Sequence, residues 1–160
     1  MTAFPTLSGI HHLKLPVRDL TASIAWFARA FGAQYLEQFD HHDASGARFA
    51  VIVMLPGVGV PVELRLAPAA AEAVAGYDPV TFGVADRAAL DAWSAHFDAV
   101  GVPHSPVVRG FIGEVLEVVT NDGLPLRLYT DPVGGFGAVR LDEDHVDLAG
   151  SPFGQDIMKA

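Results

Sequence analysis

Cysteine is absent from this 160-residue sequence, and basic residues are scarce. Without a thiol, the chain has no disulfide framework, no cysteine zinc site and no cysteine nucleophile. The sequence has ten Lys and Arg and 19 Asp and Glu, which gives a formal net charge of −9. A surface of this sign repels phosphate backbones, so nucleic acid is not an expected partner. The chemistry must come from histidine, carboxylates, arginine, lysine and aromatic side chains.

Long hydrophobic runs are also missing, although 51% of the residues are hydrophobic and the mean hydropathy is +0.32. The most apolar stretch, residues 49–62, is interrupted by two prolines and two glycines, and it is shorter than the about 20 residues of a membrane-spanning helix. The opening residues, MTAFPTLSG, lack the basic and apolar regions of a signal peptide. We therefore expect a single cytoplasmic domain over residues 1–160 with no membrane partner.

Two segments of the chain resemble each other, HLKLPVRDLTASIAWFARAFGA and PVTFGVADRAALDAWSAHFDAVGV. Asp19 and Trp26 of the first correspond to Asp86 and Trp93 of the second at the same offset. Each segment begins with the alternation of a strand and changes at the aspartate to helical spacing. Each aspartate is placed to cap the helix that follows it.

Three strand-like runs follow each predicted helix, separated by turn-forming residues. They cover residues 33–39, 47–55, 60–67, 102–108, 114–120 and 124–130. Each half of the chain is thus predicted to be a βαβββ module, and the fold class to be α+β. The modules cover residues 8–67 and 79–131, an Ala-rich linker covers 68–78, and a tail covers 132–160.

The stretches HHLKLPVRDLTASIAWFARAFGA and FGVADRAALDAWSAHFDAVGVPHSPV make the sequence resemble the vicinal oxygen chelate superfamily. This superfamily includes glyoxalase I, extradiol dioxygenases, fosfomycin-resistance transferases and bleomycin-binding proteins. The likeness covers roughly residues 8–131 and implies a glyoxalase-like fold, with sheets curved around a cup that holds a small-molecule ligand. It also implies a homodimer, and metal ligands from the first and last strand of each module.

Strand alternation predicts which side chains face the cup. If Leu13, Leu15 and Val17 pack against a helix, His12 and Lys14 point into the cup, and His11 points toward the helix or the rim. The same argument directs five later residues into the cup, namely Glu63, Arg65, Thr81, Arg127 and Tyr129.

The four positions that hold metal in the superfamily correspond here to His12, Glu63, Pro79 and Arg127. Proline offers no donor atom, and a guanidinium is permanently cationic and cannot coordinate a metal. Two donors remain, whereas a facial triad needs three. We therefore expect no cofactor, with a divalent metal on His12 and Glu63 as the less favoured alternative.

The favoured hypothesis is a metal-independent acid–base enzyme of the isomerase, cyclase or lyase type, acting on a specialised metabolite. His12 would serve as base or acid and Glu63 would orient it, while Arg127 stabilises developing negative charge and Tyr129 assists. Alternatively, Glu63 is only an ion-pair partner of Arg127 or Arg65. The expected substrate-binding residues are Lys14, Arg65, Thr81, Phe111 and Glu117.

Two other functions remain open at this point. One is a non-catalytic protein that sequesters an antibiotic or another aromatic compound, as bleomycin-binding relatives do. The other is a divalent-metal enzyme of the glyoxalase or dioxygenase type, which requires a partner chain or solvent to supply the missing ligands.

Overall fold

Each half of the chain places a long helix directly after its first strand, as the repeated segments predict. In the first half, strand β1 (Leu13–Val17) precedes helix α1 (Leu20–Phe31). In the second half, strand β6 (Thr81–Val84) precedes helix α3 (Arg87–Val100). The computed structural model describes residues 4–139, and these form two compact units divided between Pro68 and Ala69.

The two long helices begin and end in the same way. The side chains of Asp19 and Asp86 each accept a hydrogen bond, 2.9 Å long, from the backbone N–H three residues further along. These bonds satisfy amides of the first turn that have no partner within the helix. Gly32 and Gly101 end the helices with φ of 64° and 66°, a left-handed conformation that glycine adopts without steric cost. The predicted capping is confirmed.

The remaining elements are short. The first unit adds β2 (Gln34–Tyr35), β3 (His41–His42), β4 (Arg48–Met54) and β5 (Val62–Leu66). Helix α2 (Pro68–Ala73) follows, and the second unit adds β7 (Val108–Arg109), β8 (Glu114–Val119) and β9 (Pro125–Thr130). Among residues 4–139, no helix is both long enough and apolar enough to cross a membrane.

The two sheets have the same topology. Their strand orders are β1-β5-β4-β2, with β3 added beside β4, and β6-β9-β8-β7. In each sheet the first strand of the unit pairs in parallel with its last strand, and the other named pairs are antiparallel. The prediction of an α+β fold with two βαβββ modules is confirmed.

One face of each sheet packs against the unit's long helix. Helix α1 contacts β4 and β5, and helix α3 contacts β8 and β9. Phe27 and Phe97 are the largest fully buried side chains on these helices, and the strands contribute buried residues such as Leu64 and Leu128. The opposite face of each sheet therefore carries the polar residues that strand alternation assigned to it.

Four segments differ from the sequence-based prediction. Residues 33–39, predicted as one strand, form β2 and a short 3-10 helix, Glu37–Phe39. His41 and His42, which fall between the strands predicted over 33–39 and 47–55, form strand β3 against β4. The strand predicted over 102–108 contracts to Val108–Arg109, because Pro103 and Pro106 have no backbone N–H for a ladder. The region 68–78, expected to be a linker, begins with α2, in line with the high helix propensity of its alanines. Most of the predicted tail, residues 140–160, lies outside the described residues.

We predict that Asp86→Ala lowers the free energy of unfolding by about 1 kcal/mol, because the first turn of α3 loses its cap. Chemical denaturation of the two proteins measures the difference. Glu72→Ala, which removes an exposed carboxylate from α2, is the control and should change stability by less than about 0.5 kcal/mol. Equal losses in both variants would contradict the capping role.

Candidate functional site

Glu63 lies at the centre of a charged cluster on the first sheet. In the parallel pair of β1 and β5, Lys14 lies opposite Glu63 and Pro16 lies opposite Arg65. The alternation of β5 turns Glu63 to the face opposite α1, and its exposed fraction is only 2%. A carboxylate so buried needs charged or hydrogen-bonding partners.

Three side chains supply those partners. Arg65 Nε donates a hydrogen bond of 2.7 Å to Glu63 Oε1. The other oxygen, Oε2, lies 3.4 Å from His12 Nε2 and 3.5 Å from Lys14 Nζ. Of the two partners considered for Glu63 on sequence grounds, Arg65 is therefore the one that pairs with it.

The charge state of Glu63 follows from these contacts. Burial alone would raise the pKa of this carboxyl, because it disfavours the anion. The hydrogen bond from Arg65 and the charges of Arg65 and Lys14 outweigh burial, so the pKa of Glu63 lies below its ordinary value. Glu63 is therefore an anion at neutral pH.

His11 and His12 share one site, contrary to the expectation from strand alternation. Strand β1 begins only at Leu13, so the two histidines precede the strand and alternation does not govern them. Their Nδ1 atoms lie 2.8 Å apart, and their rings meet edge to face with centroids 5.1 Å apart. His12 therefore contacts Glu63 through one ring nitrogen and His11 through the other.

A cavity of about 290 Å³ opens beside this histidine pair. Its polar lining consists of His11, His12, His41 and Glu63. Its apolar lining consists of Leu36, Phe39, Ile52 and Pro61. The volume is near the lower end of the range for small-molecule pockets, and the mix of apolar walls with few polar groups is typical of them.

His41 is a polar residue of this cavity that the sequence analysis did not predict. It pairs with Ala50 of β4, and a register shift follows it at His42. Its ring lies 5.8 Å from that of Phe49. The two-residue strand β3 has no hydrophobic alternation of its own, so the sequence carries no local signal for it.

Arg127 lies in a separate ion-pair network on the second sheet. It faces Glu117 across the β8–β9 pair and Thr81 across the β6–β9 pair. Its Nε lies 2.8 Å from Asp78 Oδ2 and 3.1 Å from Glu117 Oε2. Two carboxylates thus share a guanidinium whose side chain is 12% exposed.

Glu117 is the most buried carboxylate of this network, with an exposed fraction of 0%. Oε2 accepts the hydrogen bond from Arg127, whereas Oε1 has no hydrogen-bond partner among the described atoms. Burial raises the pKa of Glu117, and the hydrogen bond and charge of Arg127 offset this only in part. Its protonated form is therefore favoured relative to that of an ordinary glutamate.

A second cavity, of about 380 Å³, brings together Thr81, Phe111 and Tyr129, three of the predicted site residues. Strands β6 and β9 supply Thr81 and Tyr129, and the loop after β7 supplies Phe111. Gly83, Asp131 and Phe136 also line this cavity and were not predicted.

The predicted site residues therefore fall into three groups. His12, Glu63, Lys14 and Arg65 cluster on the first sheet. Thr81, Phe111 and Tyr129 line the second cavity. Arg127 and Glu117 form the ion-pair network with Asp78.

Comparison with known proteins identifies the class to which this fold and these sites belong. The family model described as the Glyoxalase/Bleomycin resistance protein/Dioxygenase superfamily matches residues 9–149. The chain belongs to this superfamily, as the resemblance in its sequence predicts. No curated protein matches the sequence significantly.

Solved structures share the fold at low sequence identity. A glyoxylase/bleomycin resistance protein/dioxygenase domain from Frankia sp. EAN1pec is 21% identical, with a TM-score of 0.60 over 78% of this chain and 98% of that one. The fosfomycin resistance protein FosX from Listeria monocytogenes is 15% identical, with a TM-score of 0.60 over 81% and 98%. TnmS3, an antibiotic binding protein from Streptomyces sp. CB03234, is 16% identical, with a TM-score of 0.61 over 79% and 98%.

The residues at the superfamily's metal positions do not suit a divalent ion. Glu63 Oε2, the oxygen nearest His12, is also within 3.5 Å of the ammonium of Lys14, and Oε1 binds the guanidinium of Arg65. A metal there would have to compete with two fixed cations for one carboxylate. Among residues 4–139, no three His, Cys, Asp or Glu side chains are grouped so as to hold a metal.

The opposite directions in which folding moves the pKa values of Glu63 and Glu117 predict opposite pH dependences of stability. Glu117→Gln removes a carboxyl group whose pKa is raised on folding. The contribution of this group to the stability of the folded protein is lost as pH rises above its pKa in the unfolded chain, about 4.3. The free energy of unfolding of the wild type should therefore fall relative to Glu117→Gln as pH rises from that value through the folded pKa of Glu117. A tenfold change in the proton affinity of the carboxylate on folding corresponds to about 1.4 kcal/mol.

Glu63→Gln is the matched comparison, since the pKa of Glu63 is lowered. The stabilisation by Glu63 is present above about pH 4.3 and is lost as pH falls through its folded pKa. Denaturation curves over a series of pH values measure both differences. Slopes of the same sign for the two variants would contradict the assignment.

Proposed function

We propose that the protein is an acid–base enzyme that acts on a small molecule without a metal, and that His12 is the group that finally accepts the proton. The observation that carries the proposal is the position of His12 at the first cavity, with Nε2 3.4 Å from the buried carboxylate of Glu63. A histidine held by an anion beside an apolar cavity can accept a proton from a bound ligand and release it again. Membership of the superfamily supports a small-molecule ligand.

The ring contacts suggest a path for the proton. If the anion of Glu63 keeps a hydrogen on Nε2 of neutral His12, Nδ1 of His12 accepts a hydrogen bond from Nδ1 of His11. The outer nitrogen of His11, Nε2, then carries a lone pair. When Nε2 of His11 takes a proton from the ligand, the proton on Nδ1 of His11 moves to Nδ1 of His12. The resulting imidazolium lies beside Glu63, which stabilises it.

Negative charge left on the ligand needs a cation near the first cavity. Lys14 and Arg65 are the candidates, because both contact Glu63 and their side chains are 47% and 38% exposed. Arg127 has no part in this proposal, since Asp78 and Glu117 already compensate its charge. The expected reaction is an isomerisation, cyclisation or elimination that starts by removing a proton from carbon or oxygen.

A protein that sequesters an aromatic compound is the second candidate function. The observation that favours it is the second cavity, whose aromatic side chains Phe111 and Phe136 are exposed. The likeness to the antibiotic binding protein TnmS3 is compatible with it. In that case binding alone is the activity, and no residue has to transfer a proton.

A homodimer is part of the proposal. The apolar side chains of Phe4, Leu7 and Ile10 are 94%, 91% and 67% exposed, and a second copy of the chain would cover such a segment. Light scattering coupled to gel filtration measures the mass in solution.

The enzyme proposal predicts that His12→Gln lowers turnover by at least about 100-fold and leaves ligand affinity within a factor of about three. Gln keeps a hydrogen-bonding side chain but cannot accept the proton. Small molecules that raise the melting temperature identify ligands, and NMR of the ligand in D₂O then measures deuterium incorporation. This readout detects proton removal from carbon even where no product accumulates, and turnover detects a reaction that starts at oxygen.

His42→Gln is the control, because His42 is an exposed histidine that does not line the cavity. The His42→Gln variant should incorporate deuterium into the ligand at the wild-type rate. Excess chelator should leave the wild-type rate unchanged. His11→Gln should slow exchange if His11 passes the proton on. Exchange that persists in His12→Gln excludes His12 as the base, and a tightly bound natural ligand with no exchange or turnover favours sequestration.

A further inference from the structure

The second cavity is built around a tyrosine that the chain holds in place. The backbone N–H of Ile112 donates a hydrogen bond of 3.0 Å to Tyr129 Oη. A Cβ built on Gly110 would collide with this hydroxyl, and one built on Gly113 would lie 3.1 Å from Cε1 of the ring. The loop from Gly110 to Gly113 therefore packs closely over the ring only because both residues are glycines. The phenolic hydrogen of Tyr129 is left to donate to another group.

The same loop holds an aromatic side chain at the edge of the cavity. Phe111 lies between the two glycines and is 46% exposed, and Phe136, in the helical turn Phe136–Ala138, is 75% exposed. Both rings line the cavity. Two phenyl groups left this exposed cost solvation free energy, which a planar aromatic ligand stacked against them would recover.

A carboxylate without an ion-pair partner completes the cavity. Asp131 directly follows β9, and its backbone N–H donates to Val84 O at 2.8 Å. Its side chain lies over Gly83, where a Cβ would be 2.6 Å from Oδ1. No lysine, arginine or histidine among the described residues forms a salt bridge with it. Because Gly83 has no side chain, the carboxylate of Asp131 can occupy the space above it in the cavity.

We propose that the second unit contains a separate binding site for a planar aromatic compound that carries an amine cation. The aromatic part stacks on Phe111 and Phe136, the ammonium pairs with Asp131, and the hydroxyl of Tyr129 donates to an oxygen or nitrogen of the ligand. The faces of phenyl rings attract cations, which adds to the preference set by Asp131. This proposal is independent of proton transfer at His12, and it gives the binding function a ligand chemistry.

The test uses the full-length protein and two three-ring probes of similar shape. Aminoacridine is a planar cation at neutral pH, and anthracenecarboxylate is a planar anion. Fluorescence titration at physiological ionic strength should show one aminoacridine bound per chain, and anthracenecarboxylate bound at least about tenfold more weakly. Asp131→Asn and Phe136→Leu should each weaken aminoacridine binding about tenfold.

Gly83→Ala tests the placement of the carboxylate, because it keeps Asp131 but fills the space that its oxygen occupies. It should weaken binding as Asp131→Asn does. Glu72→Gln and Tyr77→Leu are the matched controls, since both residues are exposed and lie outside the cavity. They should bind the probe as the wild type does, and circular dichroism should show that every variant is folded.

Three results would overturn the proposal. If Asp131→Asn and Glu72→Gln weaken binding equally, the probe responds only to the acidic surface of the chain. If both probes bind alike, the site does not select a cation. If His12→Gln weakens binding as much as Asp131→Asn, the probe occupies the first cavity. None of these results bears on the incorporation of deuterium into a ligand of the first cavity. The two proposals can therefore fail independently.

Discussion

The parallel pairing of the first and last strand of each unit is the constraint on which the arrangement of charged residues depends. In the first unit this pairing sets Lys14 beside Glu63, with His12 directly before the strand. In the second unit it sets Thr81 beside Arg127, and the antiparallel partner strand adds Glu117. A shift of one residue in either pair would turn these side chains toward the helix and the apolar residues toward solvent.

The two units use this shared geometry for opposite charge arrangements. In the first, one buried carboxylate is surrounded by the cations of Lys14 and Arg65 and by His12. In the second, one guanidinium is held by the carboxylates of Asp78 and Glu117. The first arrangement surrounds one anion with cations, and the second is a network in which two carboxylates compensate the charge of Arg127.

The sequence predicted those features that depend on local periodicity. Helix caps at Asp19 and Asp86 and the inward direction of Glu63 follow from spacing alone, and the structure has them. The pairing of Arg127 with Asp78 was not predictable in this way, because Asp78 precedes its strand in a region without regular spacing. The contact between His11 and His12 was missed because β1 begins one residue after them, and strand ends are set by tertiary packing.

The account depends most on the chain of contacts from His11 through His12 to Glu63. NMR of the imidazole nitrogens in protein labelled with ¹⁵N-histidine measures it directly. At a pH where both rings are neutral, His12 should carry its hydrogen on Nε2 and His11 on Nδ1, and Glu63→Gln should weaken the preference of His12. A neutral His12 with its hydrogen on Nδ1, or a spectrum unchanged by Glu63→Gln, would contradict the account.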